Sequence, residues 1–180
     1  MFKKFKNINI IIIFIFFFNI LTSIAQANKK APFNNIAVHD KPMHISSVIF
    51  EDIFENKLKL ENLEGNLVIL NFWATWCAPC KEEMPSLDKL SYDKNFKNLK
   101  ILAVNMEKKN LKKTQKFFSD LGIKKLPIYF GEYSSFVKKL KLRGVPTTIL
   151  INPEGKEFAR IIGSIDFQDK DFLKWLSNYE

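Results

Sequence analysis

An α/β fold, with a central mixed sheet and helices on both of its faces, is what the order of segments predicts. Two nearly continuous apolar runs, Leu67–Ala74 and Leu99–Asn105, read as strands covered on both sides, the habit of parallel sheets. A segment of helical spacing follows each run. Near the C-terminus Asn152-Pro153-Glu154-Gly155 is a strong turn signal that joins Thr147–Ile151 to Glu157–Gly163 as an antiparallel hairpin. Strand, helix, strand, helix, then a hairpin and a closing helix fit one mixed sheet. No internal repeat is visible, so a single domain over 48–180 suffices.

The elements follow in order. Lys3, Lys4 and Lys6 precede an apolar run from Ile8 to Ile24, and Ala25-Gln26-Ala27 suits a signal peptidase. This is the layout of a secretory signal peptide over 1–27, with an uncleaved membrane anchor as the alternative. The run is short and interrupted by Asn19, Thr22 and Ser23, against the ~20 apolar residues of a stable span. Residues 28–47 are polar, hold Pro32 and Pro42, and lack sustained periodicity; they are expected to be a spacer. Val48–Asp52 and Lys57–Leu60 read as a short hairpin turning near Glu55-Asn56. A helix is expected from Ala78 to Tyr92, with Met84, Leu87 and Leu90 on one side. Pro85 inside it should kink it, because its ring removes one hydrogen bond and crowds the preceding turn. Leu111–Leu121 carries Phe117, Phe118 and Leu121 at helical spacing and stops at Gly122. Pro127–Phe130 is extended and Ser134–Leu142 a short amphipathic helix. Asp169–Asn178 closes the domain by burying Phe172, Leu173 and Leu176.

Composition narrows the function. The chain is 47% apolar and 14% aromatic, so it is globular, and its formal net charge is +9. Three of its 28 basic residues belong to the leader. The other lysines are scattered in pairs such as Lys112-Lys113 and Lys138-Lys139, as on solvated helix faces. No basic stripe or recognition module is present, which argues against nucleic acid. Attraction to an anionic membrane surface is the milder consequence.

The chain holds two cysteines, Cys77 and Cys80, both in the stretch "NFWATWCAPCKEEMP". Exported domains use disulfides as staples, yet a bridge closing a two-residue loop constrains almost nothing in the unfolded chain. Chemistry explains the pair better. A C-x-x-C that ends a buried strand and opens a helix aims the unpaired N–H groups of the first turn at the first sulfur, where the helix dipole favours negative charge. Cys77 is therefore expected to ionise easily and attack. Cys80, on the same helix face, can resolve a mixed disulfide. Pro79 fits the first turn, where its missing N–H costs little. A zinc site needs further ligands at suitable spacing; no more cysteines exist, and His39 and His44 lie with Met43 in the expected spacer. No metal and no cofactor beyond the dithiol itself is expected.

The segment resembles the active site of the thioredoxin superfamily, in particular its exported TlpA/ResA-like branch. The similarity runs from about Val48 to the C-terminus. It takes in the strand–CxxC–helix context, Pro85, and "GVPTT" at Gly144–Thr148. The resemblance implies a thioredoxin-like fold with an N-terminal β-hairpin and a strand–helix element inserted after Asn105. It also implies a cis bond between Val145 and Pro146, in a loop whose backbone pairs with the substrate chain beside Cys77. Trp76, Ala78 and Pro79 would adjoin that substrate, while Trp73 would belong to the core. Cytoplasmic members carry a buried Asp where this chain has Asn71. The TlpA/ResA-like branch has a glutamate three residues after the second cysteine, and Glu83 matches it. Spacing also puts Glu83 near the Cys80 thiol, whose proton it is expected to handle; the plain alternative is a surface glutamate like Glu82.

The family then implies an exported thiol–disulfide oxidoreductase, periplasmic or tethered to the outer face of the inner membrane. It would reduce cysteine pairs in partner proteins, as in cytochrome c maturation or copper-site assembly. A membrane thiol-reducing transporter would re-reduce it. Rival readings are a disulfide-donating oxidase of the same fold and a copper-carrying module. A peroxidase of this fold would want its cysteine in a loop with a Thr and an Arg. Arg143 and Arg160 are the two arginines, and Arg143 precedes the proline loop.

Overall fold

The computed structural model describes residues 30–180, so the expected leader lies outside the described residues. Residues Ala31–Glu180 form one compact unit. Eight strands make a single mixed sheet: β1 (Ile36–His44), β2 (Ile49–Asp52), β3 (Lys57–Lys59), β4 (Leu67–Trp73), β5 (Leu99–Asn105), β6 (Ile128–Phe130), β7 (Thr147–Ile151) and β8 (Lys156–Ile162), in the order β1-β8-β7-β4-β5-β6-β2-β3. Four α-helices accompany it among the described residues: α1 (Ala78–Leu90), α2 (Leu111–Asp120), α3 (Tyr133–Leu140) and α4 (Lys170–Leu176). Strands β4, β5 and β6 are parallel, and β7, β8, β1 and β2 add antiparallel partners. Among the described residues no helix is long and apolar enough to cross a membrane.

The alternation of side chains along a strand explains the two layers. Leu67, Ile69 and Trp73 of β4, with Ile101 and Ala103 of β5, face one core that also holds Met84, Leu87 and Leu90 of α1, Phe117 and Phe118 of α2, and Phe172 and Leu176 of α4. Val68, Leu70 and Phe72, with Leu102 and Val104, face the other, covered by Phe136 and Leu140 of α3 and by Leu60 and Leu63 of a 3-10 turn. Every residue of β4 is buried, which is why its sequence is almost unbroken in apolar residues. Asn71 is the one polar residue on the α1-facing side of that strand.

Helix termini carry their expected polar ends. The Asn110 side chain accepts from the Lys113 amide at the start of α2, and Asp169 accepts from the amides of Asp171 and Phe172 at the start of α4. In α4 Trp175 is buried and Leu173 only partly so, a change from the expected set. The inserted strand–helix element is present as α2 and β6, with β6 paired to β5 through Ala103–Ile128 and Val104–Tyr129.

The expected spacer is corrected. Residues Ile36–His44 form β1, an edge strand antiparallel to β8, with Ile36 opposite Ile161, Val38 opposite Ala159 and Met43 opposite Glu157. The register shifts between Val38 and Met43, and that irregularity breaks the two-residue period by which a strand is recognised. Lys41 and Pro42 suit such an edge, where a missing N–H and a charge discourage pairing with another chain.

Candidate active site

Strand β4 delivers the chain to the sheet end at Trp73, and four residues later Cys77 is the N-cap of α1. The Cys77 amide donates to the Ala74 carbonyl at 3.2 Å, which turns the chain into the helix. The Cys77 sulfur accepts from the Cys80 amide at 3.2 Å, so a first-turn N–H does point at it. Cys77 and Cys80 are joined as a disulfide. Cys80 is fully buried and Cys77 is 4% exposed. The rim beside them is open: Ala78 and Pro79 are exposed, and Trp76 is 69% exposed. Trp73 instead stacks in the core on Phe117, centroids 4.6 Å apart.

Behind the disulfide lies a buried polar trio. Glu83, one turn after Cys80 on α1, is 1% exposed, so it is no surface residue like its neighbour Glu82. The Asn71 side-chain amide donates to Glu83 Oε1 at 2.8 Å and to Thr148 Oγ1 at 2.9 Å. Glu83 Oε2 and Asn71 Oδ1 have no partner among the described residues. Burial pushes the Glu83 carboxyl up to about 8, against the smaller downward pull of Asn71 and of the Ile165 backbone. A buried carboxyl that titrates near neutrality can hold or release a proton at working pH.

The third component is the loop after α3. The Val145–Pro146 peptide bond is cis, Pro146 is buried and Val145 partly exposed. The Pro146 carbonyl accepts from Gly163 at 3.0 Å, while neither backbone group of Val145 has a partner among the described residues. Pro79 and the Val145-Pro146 loop line one groove of about 720 Å³, together with Arg143. Among the described residues no cluster of three or more His, Cys, Asp or Glu could hold a metal ion.

The structure thus brings Pro79, Val145 and Pro146 to one groove, with Trp76 exposed on the turn that holds Cys77 and with Cys77, Cys80 and Glu83 buried. Sequence reasoning missed Thr148 as the second partner of Asn71. The signal was faint: Asn71 and Thr148 are cross-strand partners of β4 and β7, a pairing that no local pattern reveals. It also missed His39, Glu157 and Arg160 near the groove, because His39 was assigned to a spacer.

The AhpC/TSA family model matches residues 45–156. Among curated relatives, the thiol-disulfide oxidoreductase ResA of Halalkalibacterium halodurans is 36% identical over 108 residues, 60% of each chain. ResA of Bacillus subtilis is 33% identical over 119 residues, 65% of this chain and 64% of that one. The chain therefore matches less than two thirds of the length of these relatives. Among solved structures, a putative thiol:disulfide interchange protein DsbE from Chlorobium tepidum superposes with TM-score 0.64 at 24% identity, covering 76% of this chain and 98% of its own. StoA from Bacillus subtilis gives 0.60 at 23%, covering 74% and 98%. At such identities the two structures establish the thioredoxin-like fold.

Proposed function

The chain belongs to the AhpC/TSA family, and from that premise we propose that it is an exported thiol–disulfide oxidoreductase that reduces cysteine pairs in partner proteins. The observation that carries the reading is the Cys77–Cys80 pair at the start of α1, beside a cis-proline loop with unpaired backbone. In the reduced protein the Cys77 thiolate attacks a substrate disulfide, forming a mixed disulfide and releasing one substrate thiolate. The Cys80 thiol gives up its proton, with the Glu83 carboxylate as the group placed to receive it. Its sulfur then attacks Cys77 and releases the second substrate thiolate. Two electrons pass to the substrate and the Cys77–Cys80 disulfide remains. A second dithiol protein must reduce it again, and a membrane thiol-reducing transporter is the proposed donor.

The substrate strand would lie along Val145, whose free N–H and C=O suit backbone pairing, with Trp76, Ala78 and Pro79 against its side chains. Substrates in cytochrome c maturation or copper-site assembly, and a site on the outer face of the inner membrane, fit a reductant working where disulfides otherwise persist. Two measurements test this. A Cys80→Ser chain expressed in its host should accumulate mixed disulfides on Cys77, and recovering none would end the exchange reading. Titration against glutathione should give a reducing midpoint; a value near about −120 mV marks a disulfide donor and reverses the direction.

A further inference from the structure

The groove beside Pro79 is lined by Lys141, Arg143 and Arg160 against one carboxylate. Its single carboxylate, Glu157, is 4% exposed and already occupied. Arg160 Nε and Nη2 donate to its two oxygens at 2.8 Å each, and His39 Nε2 lies 3.0 Å from Oε1. Arg160 Nη1 is also committed, to the Leu140 carbonyl at 2.9 Å. What remains toward solvent is Lys141 and Arg143, both exposed and neither in an ion pair among the described residues. The concavity at Thr75 and Lys81 differs. Two of its three lysines are matched: Lys113 pairs with Glu107, and Lys116 with Asp120. Unpaired lysines occur elsewhere on the surface, but in this groove Lys141 and Arg143 stand beside the cis-proline loop with no free carboxylate among the lining residues. Apolar surface adjoins it, since Met43 is 47% and Ile162 55% exposed in the same groove.

We propose that this groove selects, among disulfide-bearing partner segments, those that are acidic next to their cysteines. Partner carboxylates would meet Lys141 and Arg143, and one apolar side chain would rest on Met43 and Ile162. The inference rests on the exchange reading above and adds the class of substrate. Charges so placed raise the encounter rate of an oppositely charged segment and repel a like-charged one, an effect that salt removes. β1, by carrying His39 and Met43, is part of the specificity surface and not only a cover for the sheet edge.

The test uses the reduced chain and two oxidised Cys-Gly-Gly-Cys peptides, one flanked by aspartates and leucine, the other by lysines and leucine. Hydroxyethyl disulfide serves as an uncharged third oxidant. In low salt the aspartate peptide should react at least about ten-fold faster than the lysine peptide, and the ratio should shrink toward one at about 0.5 M salt. Arg143→Glu combined with Lys141→Glu should bring the low-salt ratio to one or invert it. The salt series is read on the unaltered chain, so the result does not depend on the variant folding. Equal peptide rates while hydroxyethyl disulfide is reduced would overturn the proposed selectivity and leave the exchange reading standing. No reaction with any of the three would remove the exchange reading, and this inference with it.

Discussion

Glu83 shows how burial makes a side chain useful and costly at once. In the unfolded chain its carboxyl ionises near 4.5, and in the fold near about 8. Between these values the folded protein holds a proton that the unfolded chain has lost. Stability from this group is thus full below 4.5 and drains away as the pH rises toward 8. At about 1.4 kcal/mol per unit, the loss is on the order of 5 kcal/mol. Denaturant unfolding of the oxidised chain should show stability falling across that window, and Glu83→Gln should flatten the slope. A slope unchanged by the substitution would place the titration elsewhere. In the reduced chain the same substitution should slow the second, Cys80-dependent step of exchange by about ten- to a hundred-fold, with the pH profile losing its inflection near 8.

At the scale of elements, α1 is held at both ends by buried polar groups. Its N-terminus turns around Cys77. Toward its other end Asp88, 5% exposed, accepts from the backbone amides of Lys124, Lys125 and Leu126 at 3.2, 2.8 and 2.8 Å. This one carboxylate satisfies the loop that leads from α2 to β6 and fastens the inserted element to α1. Asp88→Ala leaves the buried Leu126 amide and two part-buried amides without their acceptor. An unsatisfied buried group costs roughly 1–3 kcal/mol, so the variant should lose about that much stability. Hydrogen exchange at Lys125 and Leu126 should rise with it. Retained protection there would mean that the loop is held by its apolar contacts alone. The lysines beside Asp88 in space had no visible relation to it in sequence, since the bond spans more than thirty positions.

At the scale of the molecule, β1 changes what the minimal domain is. A chain beginning at Ser46 keeps everything expected of the domain but loses Ile36, Val38, His39 and Met43. It leaves the inward face of β8, with Ala159 and Ile161 buried at 0% exposure, next to a newly open sheet edge. Burial of Ile36 alone is worth roughly 1.5–3 kcal/mol, so the shortened chain should unfold at lower denaturant than one beginning at Ala31. It should also self-associate through the exposed edge. Equal midpoints for the two chains would return residues 31–44 to the status of a spacer.

Strand–helix order, the position of Cys77 and Cys80 at a helix start, and the hairpin at Asn152–Gly155 were legible in the sequence. Each rests on a local signal: apolar periodicity, a cap, or a turn dipeptide. The cis bond at Pro146 was legible through resemblance to a family, as was a glutamate at position 83, one turn after Cys80. That Glu83 is buried, and not a surface residue like Glu82, only the tertiary structure decided. Tertiary structure alone decided the partners. Asn71 meets Glu83 and Thr148, Asp88 meets the loop before β6, and Glu157 is shared by Arg160 and by His39 of an edge strand that looked like a linker. Local patterns report how a residue relates to its own turn or strand. Which distant group satisfies a buried charge depends on strand order and register, and those are set only when the two apolar layers close.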